Sequence, residues 1–103
     1  MTQIGATVRI IAKEGKAEEL AELLGRLHAE VSAEPGCDLY SVVRSDRDTN
    51  AFSLIELYRD RDALKAHQRN EQLGPIAAGM PDLVETMDFQ IGAVVCGDQG
   101  RRQ

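Results

Sequence analysis

F-S-L-I-E-L-Y-R-D-R-D-A-L-K-A-H, from Phe52 to His67, changes period once, and that change decides the fold. Phe52, Leu54, Glu56 and Tyr58 alternate as one face of a strand does, with Ile55 and Leu57 on the other face. Asp60 then stands where a helix N-cap belongs, its carboxylate placed to accept from the free amides of the first turn. Beyond it Ala63, Leu64 and His67 share one helix face, with Lys65 and Gln68 outside it. The spacing predicts a helix from Arg61 to Asn70, with His67 one turn into it and turned inward. A buried imidazole needs a hydrogen-bonding partner, a chemical task, or both.

Upstream, Ile4, Ala6, Val8, Ile10 and Ala12 alternate as a first strand. After Gly15 the period lengthens, and Ala17, Leu20, Leu24, Leu27 and Val31 form the apolar stripe of a long amphipathic helix. Glu34-Pro35-Gly36 ends that helix, since proline cannot continue the hydrogen-bond ladder and glycine takes turn dihedrals readily. Cys37 to Arg44 reads as a second strand, and the polar run Ser45 to Asn50 joins it to the third as an antiparallel hairpin. Downstream, Gly74-Pro75 and Gly79-Met80-Pro81 break the chain into short helical turns. Met87, Phe89, Ile91, Ala93 and Val95 make the last strand.

Strand, helix, strand, strand, helix, strand is the order of a ferredoxin-like α+β fold with a four-stranded antiparallel sheet. Residues 1–97 form the one domain and 98–103 a mobile tail. The third strand is apolar on both faces, yet the helices suffice to cover only one. A second copy, sheet against sheet, is the expected cover, which makes the protein a homodimer.

With 103 residues and a formal net charge of -5, the chain carries no basic stripe with interleaved aromatics, so neither nucleic acid nor an anionic membrane is an expected partner. No apolar run approaches the roughly 20 residues that span a bilayer, and no leader pattern precedes the first strand. A cytoplasmic location is expected, with Cys37 and Cys96 as reduced thiols. Signatures for nucleotide, zinc and serine-hydrolase chemistry are missing, and two histidines are too few for a histidine-built metal site.

His67 is the candidate base, because an imidazole accepts a proton near neutral pH. Its competing role is a satisfied helix histidine. Glu56 shares the strand face with Phe52 and Leu54, so it is desolvated or rims a pocket; its competing role is an ion pair with an arginine. Tyr58 points the same way, and Tyr40, with Asp38 and Val42, lines the same cavity or a dimer seam. Both also suit the core. His28 reads as structural, and Arg9 and Arg44 as pairing or rim residues.

Glu34-Pro35-Gly36-Cys37, then Tyr40, then Phe52 through Glu56, Leu57, Tyr58, Asp60, Ala63 and His67, resembles the antibiotic biosynthesis monooxygenase family, over nearly the whole chain. The resemblance implies a dimeric α/β barrel of ferredoxin-like subunits, each with a pocket between sheet and helices. It also implies oxidation of a small quinol or polyphenolic aromatic substrate by molecular oxygen, without metal, flavin or haem. His67 would be the catalytic base, Glu56 and Tyr58 would orient imidazole or substrate, and Tyr40 and Phe52 would contact substrate. No cofactor is expected. Gln72 occupies the place of a second histidine found in some relatives, which argues against a histidine pair. The haem-degrading branch would have its iron ligand near Ala77 and a tryptophan in place of His67, which argues against haem degradation. Other relatives with the same histidine isomerise small sugar-derived phosphates, for which Arg9, Arg44, Arg59 or Lys65 would supply the anchor; a noncatalytic ligand-binding dimer is the third possibility.

Overall fold

Strand β1, Ile4–Ala12, lies inside the sheet, flanked by β3, Ala51–Tyr58, and β4, Val84–Ala93, in a computed structural model that describes residues 2–98. β2, Cys37–Arg44, completes the order β2-β3-β1-β4, and every pairing is antiparallel. That is the expected ferredoxin-like α+β fold. Helix α1, Ala17–Ser32, connects β1 to β2; α2, Arg61–Gln68, with the short helices α3, Leu73–Ala77, and α4, Met80–Leu83, connects β3 to β4. Among the described residues, no helix is long and apolar enough to cross a membrane.

Register explains the core. Ile4, Ala6 and Ile10 face Tyr58, Glu56 and Phe52 across the β1–β3 ladder, and all six are buried under the helices. From above, α1 brings down Leu20, Leu23, Leu24 and Val31, all buried. Each such side chain contributes about 1.5–3 kcal/mol over leaving it in water. The opposite sheet face carries Ile55 and Val43, both exposed.

The helix layer stops short of β4. Met87, Phe89 and Ile91 pair with Ile10, Val8 and Ala6 and therefore stand on the helix-facing side, yet Phe89 is 69% exposed. More apolar surface is thus uncovered than the sequence suggests, since the edge strand is bare on both faces.

Three boundaries differ from expectation. The last strand begins earlier and ends earlier, at Val84 and Ala93, because β1 offers partners only from Ala12 to Ile4. Val94 still donates its amide to the carbonyl of Gln3 at 2.9 Å, but Val95 has left the sheet and is 97% exposed. Helix α2 ends at Gln68, two residues short, because the amides of Arg69 and Asn70 turn back to the carbonyls of Ala66 and His67 and the Asn70 side chain bonds elsewhere. The expected tail falls almost wholly beyond the description: Gln99 to Gln103 lie outside the described residues.

Candidate functional site

Glu34-Pro35-Gly36 sets the site by closeness of approach. Among the described residues only Gly15 has a positive φ, so Gly36 is not there for its dihedrals. A Cβ on Gly36 would collide with the Cβ of Ala63 in the first turn of α2. The loop and the helix meet backbone to side chain, and only glycine fits. Two bonds hold the loop in place: the Gly36 carbonyl accepts from the Arg59 amide at 2.9 Å, and the Cys37 amide donates to the Glu34 carbonyl at 3.1 Å. Helix α2 starts as its sequence dictates, with the Asp60 carboxylate accepting from the Ala63 amide at 2.9 Å.

This seam brings Glu34 under His67. His67 lies in the last turn of α2, not one turn into a longer helix, and its Nδ1 is 3.1 Å and 3.2 Å from the two carboxylate oxygens of Glu34. Asn70 Nδ2 donates to the same carboxylate at 2.7 Å. The imidazole Nε2 has no hydrogen-bond partner among the described residues, and it is not sealed from solvent, since none of their buried side-chain nitrogens lacks a partner. By sequence, Glu34 is part of a helix stop and of the stretch that resembles the family, with no role at His67. The available signal was a single acidic residue ahead of the Pro35-Gly36 pair, which without the fold says nothing about His67.

On the sheet side, the Tyr58 hydroxyl donates to Glu56 Oε1 at 2.5 Å, and the Tyr58 ring packs against His67 with centroids 5.0 Å apart. Glu56 is 6% exposed, and burial pushes its carboxyl above the usual range, against the lowering by the Tyr58 bond and the nearby His67. Burial, then the bond to Glu56, drives the Tyr58 phenol up, while burial and the Glu56 charge do the same to Tyr40. The competing role for Glu56, an ion pair with arginine, is not what it makes; its partner is a phenol.

Tyr40 faces Glu56 across the β2–β3 ladder and Val42 faces Leu54. A bulge between Cys37 and Leu39 puts Cys37, opposite Tyr58, in this row where alternation expects Asp38, whose carboxylate accepts from Gln3 Nε2 at 2.9 Å. Tyr40 also lines a hollow of about 350 Å³ at the α1–β2 edge with His28, whose ring centroid is 6.0 Å from its own. Phe52 is apart from this group, fully buried near the far end of β3 with the Arg44 guanidinium 5.2 Å above its ring. Thus Glu56, Tyr58, Tyr40 and His67 gather at one end of the sheet, Glu34 and Asn70 join them, and Phe52 does not.

The cations that would anchor a phosphate are dispersed. Arg44 pairs with Glu18 at 2.9 Å and donates to the Thr49 carbonyl at 2.8 Å. Arg9 lies opposite Ser53 and Asp88 on the face away from the helices. Arg59 lines a hollow of about 470 Å³ beyond Glu34, in company with Asp60 and Asp62. Neither cysteine is in a disulfide; Cys37 is buried and Cys96 exposed.

A ferredoxin-like sheet with a histidine and buried carboxyls at one end is a small set of features, and the comparisons give it a family. The chain belongs to the antibiotic biosynthesis monooxygenase family, whose sequence pattern matches residues 3–78. The protein PA3566 of Pseudomonas aeruginosa is similar in structure, with 29% identity, a TM-score of 0.85, and 93% of this chain and 97% of that chain covered. SnoaB, a cofactor-independent oxygenase of Streptomyces nogalater, shares the fold at 18% identity and a TM-score of 0.83, over 92% of this chain and 95% of its own. An uncharacterized Synechocystis protein, sll1783, is 31% identical over 75 residues, which is 73% of this chain. The chain spans about half the length of that curated relative, 51%.

Proposed function

We propose that the protein is a cofactor-independent monooxygenase that oxidises a small quinol or polyphenol with molecular oxygen, and that His67 is its base. The reading rests on one observation above the rest: Nε2 of His67 is unpartnered, while the opposite nitrogen is held by a carboxylate. Family membership and a fold shared with a cofactor-independent oxygenase support it.

The chemistry needs little more. An electron-rich hydroquinone becomes a competent reductant of oxygen once a hydroxyl proton is removed. Nε2 takes that proton. The ring then gives four electrons to dioxygen, one oxygen atom replacing a ring hydrogen and the other leaving as water, so that the product is a hydroxyquinone. Glu56 and Tyr58 hold each other at the same place and offer the substrate a polar end, and Tyr40 extends that wall; Phe52, at the other end of β3, takes no part in it. The dispersed cations give no support to a phosphate-isomerising role.

The working form is a homodimer in this proposal, with Ile55 and Val43 and the bare edge strand β4 as the surface that a second copy covers. Sedimentation equilibrium giving the mass of one chain at micromolar concentration would remove that part. Unbridged thiols suit the cytoplasm, and fractionation of cells is its check.

Oxygen uptake by metal-stripped protein with reduced quinols, corrected for autoxidation, tests the main proposal. Uptake in the wild type and a loss on the order of 100-fold in His67→Ala are expected, as for removal of a general base. Equal uptake in both proteins, or none above autoxidation in either, sinks it.

A further inference from the structure

Glu34 is the acidic residue aimed at His67, and what it fixes is which nitrogen of the ring is left to react. Both its oxygens lie within hydrogen-bond range of Nδ1, at 3.1 Å and 3.2 Å. An ionised carboxylate only accepts, so Nδ1 carries the hydrogen whether the ring is neutral or charged. In the neutral ring the lone pair then resides on Nε2. Asn70 Nδ2, at 2.7 Å from Glu34 Oε2, restrains the carboxylate as well, and the Gly36–Ala63 seam fixes the loop that carries it. Both side chains of the pair are largely buried, at 19% and 14% exposure, so the contact is not a surface ion pair of the weak kind.

We infer that Glu34 is a positioning residue: it holds His67 as the Nδ1–H form, and it steadies the imidazolium that forms when Nε2 takes a proton. This rests on the reading of His67 as base. The same pattern of a carboxylate on one ring nitrogen and chemistry on the other orients histidines in hydrolases and at metal sites. Glu56, which shares a strand face with the site, makes no hydrogen bond to the ring; its bond is to Tyr58.

The test reads the tautomer directly, by nitrogen-15 NMR of the full chain labelled at histidine, with His67→Gln identifying the resonance against that of His28. In the wild type the Nδ1 signal should be of the protonated type and the Nε2 signal of the unprotonated type. Glu34→Ala should abolish that preference, and Asn70→Ala should weaken it while leaving Glu34 in place. Kinetically, Glu34→Ala should lower kcat on the order of 10-fold to 100-fold with little change in KM, and Glu34→Asp should recover part of it.

A wild-type ring protonated on Nε2, or a tautomer preference unchanged in Glu34→Ala, overturns the inference. Should Glu34→Ala not fold, the wild-type and Asn70→Ala spectra still decide. Failure of oxygen uptake with the tautomer as stated would refute the proposed reaction and leave the positioning role standing.

Discussion

Replacing Gly36 by alanine adds one methyl group at the glycine with the least room among the described residues. The new Cβ overlaps the Cβ of Ala63 and comes within 3.3 Å of its Cα and 3.6 Å of an Arg59 guanidinium nitrogen. Two carbons prefer about 3.5–4.0 Å, so the loop and α2 must move apart. The loop resists, because the Gly36 carbonyl holds the Arg59 amide at 2.9 Å from the other side. Overpacking of this kind costs about 1–3 kcal/mol. Urea slopes of about 1–3 kcal/mol per molar for small proteins then put the midpoint roughly 1 M lower. Since Gly36 has no positive φ, the whole cost belongs to the contact and relief should come from the other partner. Ala63→Gly alone should cost about 0.5–1 kcal/mol as a glycine in a helix. The double variant should lie about 1 kcal/mol or more above the sum of the singles. Strict additivity in urea titrations of the four proteins would refute the packing argument, as would a loss below about 0.5 kcal/mol for Gly36→Ala.

Two predictions concern the buried ionisable groups. Glu56 has its folded carboxyl raised from 4.5 by burial, so its contribution is fully present below that value and is lost as pH rises through the raised one. Glu56→Gln does not ionise, so its stability relative to wild type should climb from pH 4.5 to neutrality; a flat difference in chemical denaturation over that range would contradict this. Tyr40 and Tyr58 are the chain's two tyrosines, and burial raises both phenols. Absorbance at about 295 nm should therefore show no phenolate step near the ordinary value of about 10 while the far-ultraviolet circular dichroism stays native. A step there with the fold intact would mean that the two rings are wetter than the structure has them.

What was legible in the sequence follows from the range of the cause. Period two and period 3.6 are local, so the first three strands, α1 and the start of α2 with its Asp60 cap stand where alternation and spacing put them, and the fourth strand exists where expected with shifted ends. The ends of α2 and β4 were not local matters. One depends on a side chain of Asn70 reaching a residue 36 positions away, the other on where β1 runs out of partners. Face assignments failed at the bulge before Leu39, because one extra residue exchanges Cys37 for Asp38 and no composition marks it. The gathering of Tyr58, Glu56 and His67 was readable, as all three lie within one strand–helix unit. Glu34 was not, since its role comes from a contact 33 residues along the chain. Gly36 was noticed for the turn it does make, closed by the Cys37 amide on the Glu34 carbonyl, but that turn needs no positive φ; the reason for glycine there is a neighbour that only the fold supplies.

Cys37 follows directly on Gly36 and is buried, whereas Cys96 is exposed. A thiol reagent should consume Cys96 at once and reach Cys37 only when the start of β2 lifts away from α2. The rate of that second, slow reaction counts how often the seam opens under native conditions, in the same way that amide exchange counts local openings. The fixed geometry around His67 thereby acquires a lifetime. If that lifetime proves long beside a catalytic cycle, the carboxylate and the imidazole stay paired through turnover, and substrate must enter without parting them.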